Sequence, residues 1–113
     1  MNQEIIYQFN PLTRFITRGI SESIPQVIIS TLWQTLDTFL SNPIRKDYLQ
    51  VFVLEHKGHD LTLEHFQEEP PYKKIIKLDS SLKELLSFSI KNKIKIYVID
   101  DVDHSTMLLA EEY

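Results

Sequence analysis

The sequence predicts an α+β fold, with an antiparallel or mixed sheet of about five strands, one long amphipathic helix packed on a face and a second, short helix. Two observations predict it. The densest run of strand-forming residues, DYLQVFVLEHKGHDLTLEHF, spans Asp47 to Phe66 and has turn residues at its centre. The clearest helical periodicity covers Gln26 to Ser41. Shorter strand-like runs lie on both sides of these segments, a pattern typical of α+β domains.

Length and composition limit the classes of protein. The chain has 113 residues, which predicts one domain over residues 1–113. It contains no cysteine, which excludes disulfides, thiol nucleophiles and thiolate metal sites. No segment approaches the roughly 20 apolar residues that span a bilayer, and the start, MNQEIIYQFN, lacks the features of a signal peptide. We therefore expect a soluble, cytoplasmic protein.

The first predicted elements are a strand and the long helix. Met1 to Leu12 is predicted as an N-terminal extension or edge strand, which adds to the protein's own sheet or pairs with a second copy in a homodimer. Phe15 to Ile20 alternates as a short strand does. Ser23 and Gln26 have the spacing of a capping box, which predicts the start of the helix. Pro43 follows its end.

The central hairpin joins two strands of different character. Tyr48 to Leu54 is almost continuously apolar, as in an interior strand that is buried on both faces. Lys57 to Asp60 forms the turn, and Leu61 to Phe66 alternates as an amphipathic strand. Gln67 to Tyr72, QEEPPY, contains two adjacent prolines and is predicted to be extended and unpaired.

The C-terminal part predicts a second helix and a second hairpin. Lys74 to Leu78 is predicted as a short strand or as a lead-in to the second helix. This helix begins at one of three caps, Asp79, Ser80 or Ser81, and ends near Asn92. Lys93 to Asp100, KIKIYVID, and Thr106 to Ala110 are the strands of the hairpin. Because lysines discourage strand pairing, we expect Lys93 to Asp100 at an edge of the sheet.

Charge is distributed unevenly along the chain. The net charge is -4, but Lys73 to Lys95 holds seven lysines against two acidic residues. A net negative charge argues against a protein that clamps nucleic acid. An RNA-binding module stays open as an alternative, with six lysines around Tyr72 and Tyr97: Lys73, Lys74, Lys77, Lys91, Lys93 and Lys95.

Histidines and carboxylates near the turns give a second alternative, a metal-dependent enzyme or sensor. His56, His59 and His65 lie near the central turn, where two paired strands would bring several of them together. His104 follows the acidic run at Asp100 to Asp103. These spacings match no dedicated metal site, and polar turns explain them equally, so we assign no metal and no cofactor.

Motifs for covalent or phosphate chemistry are missing from the sequence. With only two glycines, the chain cannot form a glycine-rich phosphate loop. No serine lies in a nucleophile elbow, and the available histidines suggest no catalytic triad. We therefore name no catalytic residue and expect a protein that is not an enzyme.

Several phrases of the sequence occur together in one known family. They are FITRGI, the IP, LW and LD of the helix, DYLQVF, HFQEEPPY and KIYVIDDVDHSTMLLAEEY. In this order they resemble an uncharacterised family of small proteins from Gram-positive bacteria, their phages and mobile elements, known as domain of unknown function family 960. The resemblance covers Arg14 to Tyr113 and leaves Met1 to Leu12 outside.

The resemblance implies a setting rather than a set of catalytic residues. Small acidic proteins of phages and mobile elements often bind and disable a host machine, including the nucleases of bacterial adaptive immunity. It therefore implies a non-enzymatic protein-binding module, an inhibitor of a host nucleic-acid-handling enzyme such as a CRISPR-Cas nuclease. Acidic residues are the candidate partner contacts in a basic nucleic-acid channel: Glu68, Glu69, Asp100, Asp101, Asp103, Glu111 and Glu112.

Overall fold

The computed structural model describes residues 5–58, 60–79, 81 and 93–113. The described helices are α1, Arg18–Ser23, and α2, Gln26–Leu40. The described strands are β1, Arg14–Ile16; β2, Leu49–Lys57; β3, Asp60–Gln67; β4, Tyr72–Lys77; β5, Lys93–Asp100; and β6, Ser105–Leu109. Single 3₁₀ turns cover Pro11–Thr13 and Ala110–Glu112. None of the described helices is long and apolar enough to cross a bilayer.

The six described strands form one mixed sheet in the order β1-β6-β5-β2-β3-β4. Only β1 and β6 pair in parallel, and the other four pairs are antiparallel. The predicted α+β class with a mixed sheet is confirmed, although the sheet has six strands instead of about five. The expected edge position of Lys93 to Asp100 is wrong, because β5 pairs with β2 on one side and with β6 on the other.

One face of the sheet, which we call the core face, is covered by α2. The helix buries one side at intervals of three and four residues: Ile28, Ile29, Leu32, Leu36 and Phe39. These side chains join one apolar cluster with core-face residues such as Phe52, Leu63 and Ile96. Each such buried side chain contributes about 1.5–3 kcal/mol to stability. We call the opposite side the outer face.

The segment before α2 differs from its prediction. Phe15 to Ile20 was expected to be one strand, but β1 ends at Ile16 and α1 begins at Arg18. The Thr17 hydroxyl caps α1 by accepting a hydrogen bond from the Ile20 amide at 3.2 Å. The predicted capping box at Ser23 is also wrong, because Ser23 is the last residue of α1. Pro25 forces an extended residue before it and separates the two helices.

The residues between β3 and β4 form a tight turn. Residues 68–71 reverse the chain, with a cis peptide bond between Glu69 and Pro70, so the expectation of an extended, unpaired segment is wrong. The strand that follows supplies the sixth strand of the sheet. The predicted second helix lies outside the described residues apart from its cap, where the Asp79 carboxylate accepts from the Ser81 amide at 2.9 Å.

The N-terminal segment is anchored by Phe9. Its described part, residues 5–12, contains no strand, so the expected edge strand is wrong there. The Phe9 ring is fully buried, and its amide donates to Asp100 Oδ2 at 3.4 Å. Its carbonyl accepts from Arg14 Nη2 at 2.8 Å. The segment therefore packs against the core, while pairing with a second copy stays a prediction.

Candidate functional site

Strand order brings two turns and a loop to one end of the sheet. β3 and β5 both end where their antiparallel partner β2 begins, near Leu49. The β3–β4 turn, the β5–β6 turn and the loop before β2 therefore lie side by side, with adjacent strands about 4.8 Å apart. Their carboxylates form a group that we call the acidic end: Asp47, Glu68, Glu69, Asp101 and Asp103.

Local hydrogen bonds fix the conformation of the acidic end. Asp47 Oδ2 accepts from the Glu69 amide at 3.1 Å, which ties the loop before β2 to the β3–β4 turn. Asp101 Oδ1 accepts from the amides of Asp103 at 3.1 Å and His104 at 2.9 Å. Asp101 Oδ2 lies 3.1 Å from His104 Nδ1. Because these contacts lie within the turns, the acidic end has a defined shape before any partner binds.

Exposed aromatic and apolar side chains lie among these carboxylates. Tyr48, at the entrance to β2, is 42% exposed, and Val102, in the β5–β6 turn, is 59% exposed. The pKa of Tyr48 is raised by repulsion from Tyr113, then by burial and by the nearby carboxylates of Asp47 and Glu68. The phenol therefore stays protonated and can donate a hydrogen bond to a partner.

Three other predicted acidic contacts lie elsewhere. Asp100 is only 3% exposed, and burial is the first cause of the raised pKa of its carboxyl group. Glu112 accepts from Thr17 Oγ1 at 2.7 Å and from the Leu109 amide at 2.8 Å, and these hydrogen bonds lower the pKa of its carboxyl group. Glu111 is exposed in the C-terminal 3₁₀ turn. Asp100 and Glu112 thus hold the chain's own segments together.

The predicted metal-binding histidines are not brought together. His65 pairs with Phe52, four residues from His56 on β2, a separation of about 13 Å along the strand. His104 lies at the acidic end, and His59 lies outside the described residues. Among the described residues, no group of three or more histidines and carboxylates is placed to hold a metal ion. The expected clustering at the central hairpin is wrong for His56 and His65.

The lysines of the predicted RNA surface are divided between two faces and two separated strands. Lys74 and Tyr72 lie on the core face of β4, whereas Tyr97 lies on the outer face of β5, with β3 and β2 between them. Outer-face lysines lie near carboxylates: Lys73 to Glu64 at 3.4 Å, Lys77 to Asp60 at 3.1 Å and Lys93 to Glu55 at 3.8 Å. Lys95 lies over the ring of Tyr97 at 5.8 Å. Lys91 lies outside the described residues, and the others form no continuous basic strip.

A cavity of about 200 Å³ lies between the C-terminal half of α2 and the core face of β3 and β4. We call it the side cavity. Six of its lining residues carry its chemistry: Phe39, Leu63, His65, Tyr72, Lys74 and Ile76. The rings of Phe39 and Tyr72 stack with centroids 4.2 Å apart, and the ring of His65 meets Phe39 edge-on at 5.0 Å. The side cavity thus combines an aromatic wall, a histidine and a lysine.

A buried hydrogen-bond network lies beneath the side cavity. His65 Nε2 lies 2.7 Å from Gln50 Oε1, and Gln50 Nε2 donates to Gln67 Oε1 at 2.8 Å and to the Asp47 carbonyl at 2.9 Å. Gln67 Nε2 donates to two backbone carbonyls, of Arg45 and Pro70. These carbonyls fix the orientation of both amides, so Gln50 Oε1 must accept a hydrogen bond from the N–H at His65 Nε2.

The network determines the chemical state of His65. The ring is 1% exposed and stacks on Phe52 at 4.5 Å, and burial lowers its pKa from 6.5 to about 4. The imidazole is therefore neutral at pH 7, with its proton on Nε2 and an accepting lone pair on Nδ1. A group with this pKa is a hydrogen-bond acceptor near neutral pH and a weak general base.

Sequence reasoning missed the glutamines of this network. Gln50 interrupts the apolar run of β2, and Gln67 continues the core-facing alternation of Leu61, Leu63 and His65. A polar residue at a position that the strand period assigns to the core was the available signal. No pattern in the sequence indicated the side cavity, because α2 and β4 are distant in the sequence and come together only in the folded chain.

Comparisons with known proteins agree on the family and the fold. The family described as "Staphylococcal protein of unknown function (DUF960)" matches residues 13–112. The chain is similar to a protein of unknown function from Enterococcus faecalis whose crystal structure is known, with a TM-score of 0.74, 24% identity, and coverage of 96% of this chain and 98% of that chain. At this identity the likeness shows the fold alone. Comparison with curated proteins found no match. The family match covers nearly the whole chain, which therefore belongs to the DUF960 family.

Proposed function

We propose that the chain is a non-enzymatic protein-binding module and that the acidic end is its binding surface. The observation that carries this proposal is that exposed Tyr48 lies near the carboxylates of Asp47 and Glu68, at the same end of the sheet as exposed Val102, which Asp101 and Asp103 flank in the sequence. Aromatic residues at the centre and polar residues at the rim are typical of protein interfaces. Because the rim is negatively charged, a partner with a basic surface complements it.

The backbone of the β5–β6 turn supports this assignment. Val102 has a φ of 82°, in the left-handed region that glycine and asparagine adopt more readily than a β-branched residue. Its side chain is 59% exposed, so burial of the isopropyl group does little to compensate for the strain. Stability alone would favour asparagine or glycine at this position. A solvent-facing valine held in this conformation fits a contact with a partner.

The partner class that we propose is a host nucleic-acid-handling enzyme, such as a CRISPR-Cas nuclease. The nucleic-acid channels of these enzymes are lined with positive charge that binds phosphate groups. The carboxylates of the acidic end would occupy phosphate positions in such a channel. With a net charge of -4, the chain is too weakly charged to imitate a duplex over its whole surface. An anti-CRISPR-like inhibitor of this kind would therefore act through one end of its sheet.

Binding and cleavage measurements with a guide-loaded CRISPR-Cas nuclease test this proposal. The wild-type chain should bind the purified nuclease and slow the cleavage of target DNA. The double charge reversal Glu68→Lys and Asp103→Lys, which leaves the turn-forming carboxylate of Asp101 in place, should weaken binding roughly tenfold or more, mainly through a slower association rate. Raising the salt concentration should reduce the difference between the two proteins, because exposed charges are screened.

A matched control lies at the opposite end of the same sheet. Asp60→Lys, beside the β2–β3 turn, reverses one charge on a half-exposed carboxylate far from the acidic end, as the single variant Glu68→Lys does within it. It should leave binding within about twofold of wild type if the acidic end is the contact surface. If Asp60→Lys and Glu68→Lys weaken binding equally, the loss of affinity reflects net charge alone. That outcome would contradict the assignment of the acidic end as the binding surface. Failure of the wild-type chain to bind would contradict the proposed partner class.

A further inference from the structure

The side cavity has the dimensions of a small-ligand site. Its volume of about 200 Å³ somewhat exceeds that of an engineered cavity of about 150 Å³ that binds benzene. The rings of Phe39 and Tyr72, which stack on each other with centroids 4.2 Å apart, add aromatic surface to its lining. Leu63 and Ile76 add apolar surface from β3 and β4. A planar molecule of one or two rings fits these dimensions and this lining.

The polar groups around the side cavity specify the chemistry of such a ligand. Among the described residues of its lining, Lys74 is the one that is charged at pH 7, and its side chain forms no ion pair with a described carboxylate. His65 contributes a neutral imidazole whose Nε2 proton is committed to Gln50, so the ring can only accept a further hydrogen bond. The hydroxyl proton of Thr35 is also committed, because Thr35 Oγ1 donates to the Thr31 carbonyl at 2.8 Å. The lining thus offers one cation, an accepting imidazole, and the hydroxyl of Tyr72 and amide of Asn42, which can donate or accept.

We propose that the side cavity binds a small planar aromatic carboxylate that also carries an N–H or O–H donor. Its ring packs against Phe39 and Tyr72, its carboxylate pairs with the Lys74 ammonium, and its donor hydrogen-bonds to His65 Nδ1. No carboxylate belongs to the lining that the described residues form, so a cationic ligand finds no counter-ion among them. A neutral hydrocarbon would make no use of the Lys74 ammonium or of His65 Nδ1. This site is distinct from the acidic end and does not depend on the proposed protein partner.

Titration calorimetry with indole-3-carboxylate as the probe tests this proposal. The probe supplies a two-ring plane, a ring N–H and a carboxylate, and it should bind with a dissociation constant in the micromolar to low millimolar range. Lys74→Met keeps the length of the side chain and removes its charge. Because Lys74 is exposed, this change should weaken binding roughly two- to fivefold, the size expected for an ion pair at the surface. Unsubstituted indole should bind wild type and Lys74→Met equally.

Lys73→Met is the matched control, because it removes the neighbouring lysine from the outer face of the same strand. It should leave the affinity for indole-3-carboxylate unchanged. Thr38→Trp places a large side chain at the exposed rim of the cavity and should abolish binding of both probes. Equal weakening by both lysine variants, or binding that survives Thr38→Trp, would overturn the assignment. So would the absence of binding to wild type at millimolar probe concentration.

Discussion

The neutral state of buried His65 predicts a specific dependence of stability on pH. Its pKa is lowered from 6.5 to about 4 on folding, so the unfolded chain takes up the proton first as the pH falls. The free energy of unfolding should therefore decrease between pH 6.5 and pH 4, and the contribution should be constant above and below this window. The difference between these two pKa values corresponds to about 3 kcal/mol, of which about 2 kcal/mol is lost at pH 5.

The assay is urea unfolding of wild type and His65→Phe between pH 4 and pH 7. Phenylalanine keeps the stack on Phe52 but cannot titrate, and all other ionisable groups are common to both proteins. The variant should be less stable at pH 7, because Gln50 Oε1 loses its donor, by about 1–3 kcal/mol. The difference between the two proteins should then shrink by about 2 kcal/mol on going to pH 5.

Two further measurements separate His65 from the other histidines. His104→Gln removes the half-exposed imidazole of the β5–β6 turn and should retain the wild-type decrease in stability between pH 6.5 and pH 4. Nitrogen-detected NMR should show the His65 proton on Nε2 at pH 7 and no titration above pH 5. The reasoning is refuted if His65 titrates near 6.5, or if wild type and His65→Phe lose stability in parallel as the pH falls.

Three other predictions concern stability in urea or heat unfolding. Gln67→Leu removes four hydrogen bonds of a buried side chain and should cost roughly 2–4 kcal/mol, whereas the same change at exposed Gln34 should stay within about 0.5 kcal/mol. Similar losses for both variants would show that the network does not stabilise the fold. Phe9→Ala should cost about 3–5 kcal/mol while Ile6→Ala, at a 68% exposed site, costs little, and equal effects would contradict the anchoring of the N-terminal segment. Val102→Asn should stabilise the chain by about 1 kcal/mol through relief of strain, and a destabilised variant would show that the valine conformation is not strained.

Elements with a strong hydrophobic period were predictable from the sequence. The helical interval of apolar residues located α2, and Lys93–Asp100 was predicted with the bounds it has as β5. Strand order was not predictable in the same way. Alternation along a strand shows which of its residues share a face of the sheet. The strands that pair with it on each side depend instead on contacts between distant segments. This is why β5, with its two lysines, was expected at an edge and lies inside the sheet.

Short elements and buried polar residues were the main sources of error at the candidate sites. The segment from Phe15 to Ile20 has six residues, which are too few for alternation alone to identify a strand. Thr17 acts as a helix cap within this segment. His65 was expected near a polar hairpin tip, yet it lies in the core because Gln50 satisfies its ring nitrogen. Asp100 was expected at the surface, but it receives the Phe9 amide from the other end of the chain. Hydrogen-bond partners that lie so far apart in the sequence cannot be identified from local sequence patterns.

The presence of the buried hydrogen-bond network of Gln50, His65 and Gln67 is not explained by stability alone. Replacing matched polar partners by apolar groups of the same shape is often neutral or stabilising, so His65 and Gln50 are not needed to fill the core. Gln67, in contrast, holds the backbone on both sides of the acidic end, through the Asp47 amide at 2.9 Å and the Pro70 carbonyl at 2.7 Å. The same network thus runs from the side cavity to the turn that carries the acidic end. Polar groups that a core does not need for packing are expected at functional sites. The network residues that connect the side cavity with the acidic end are therefore the first ones to test for a role in function.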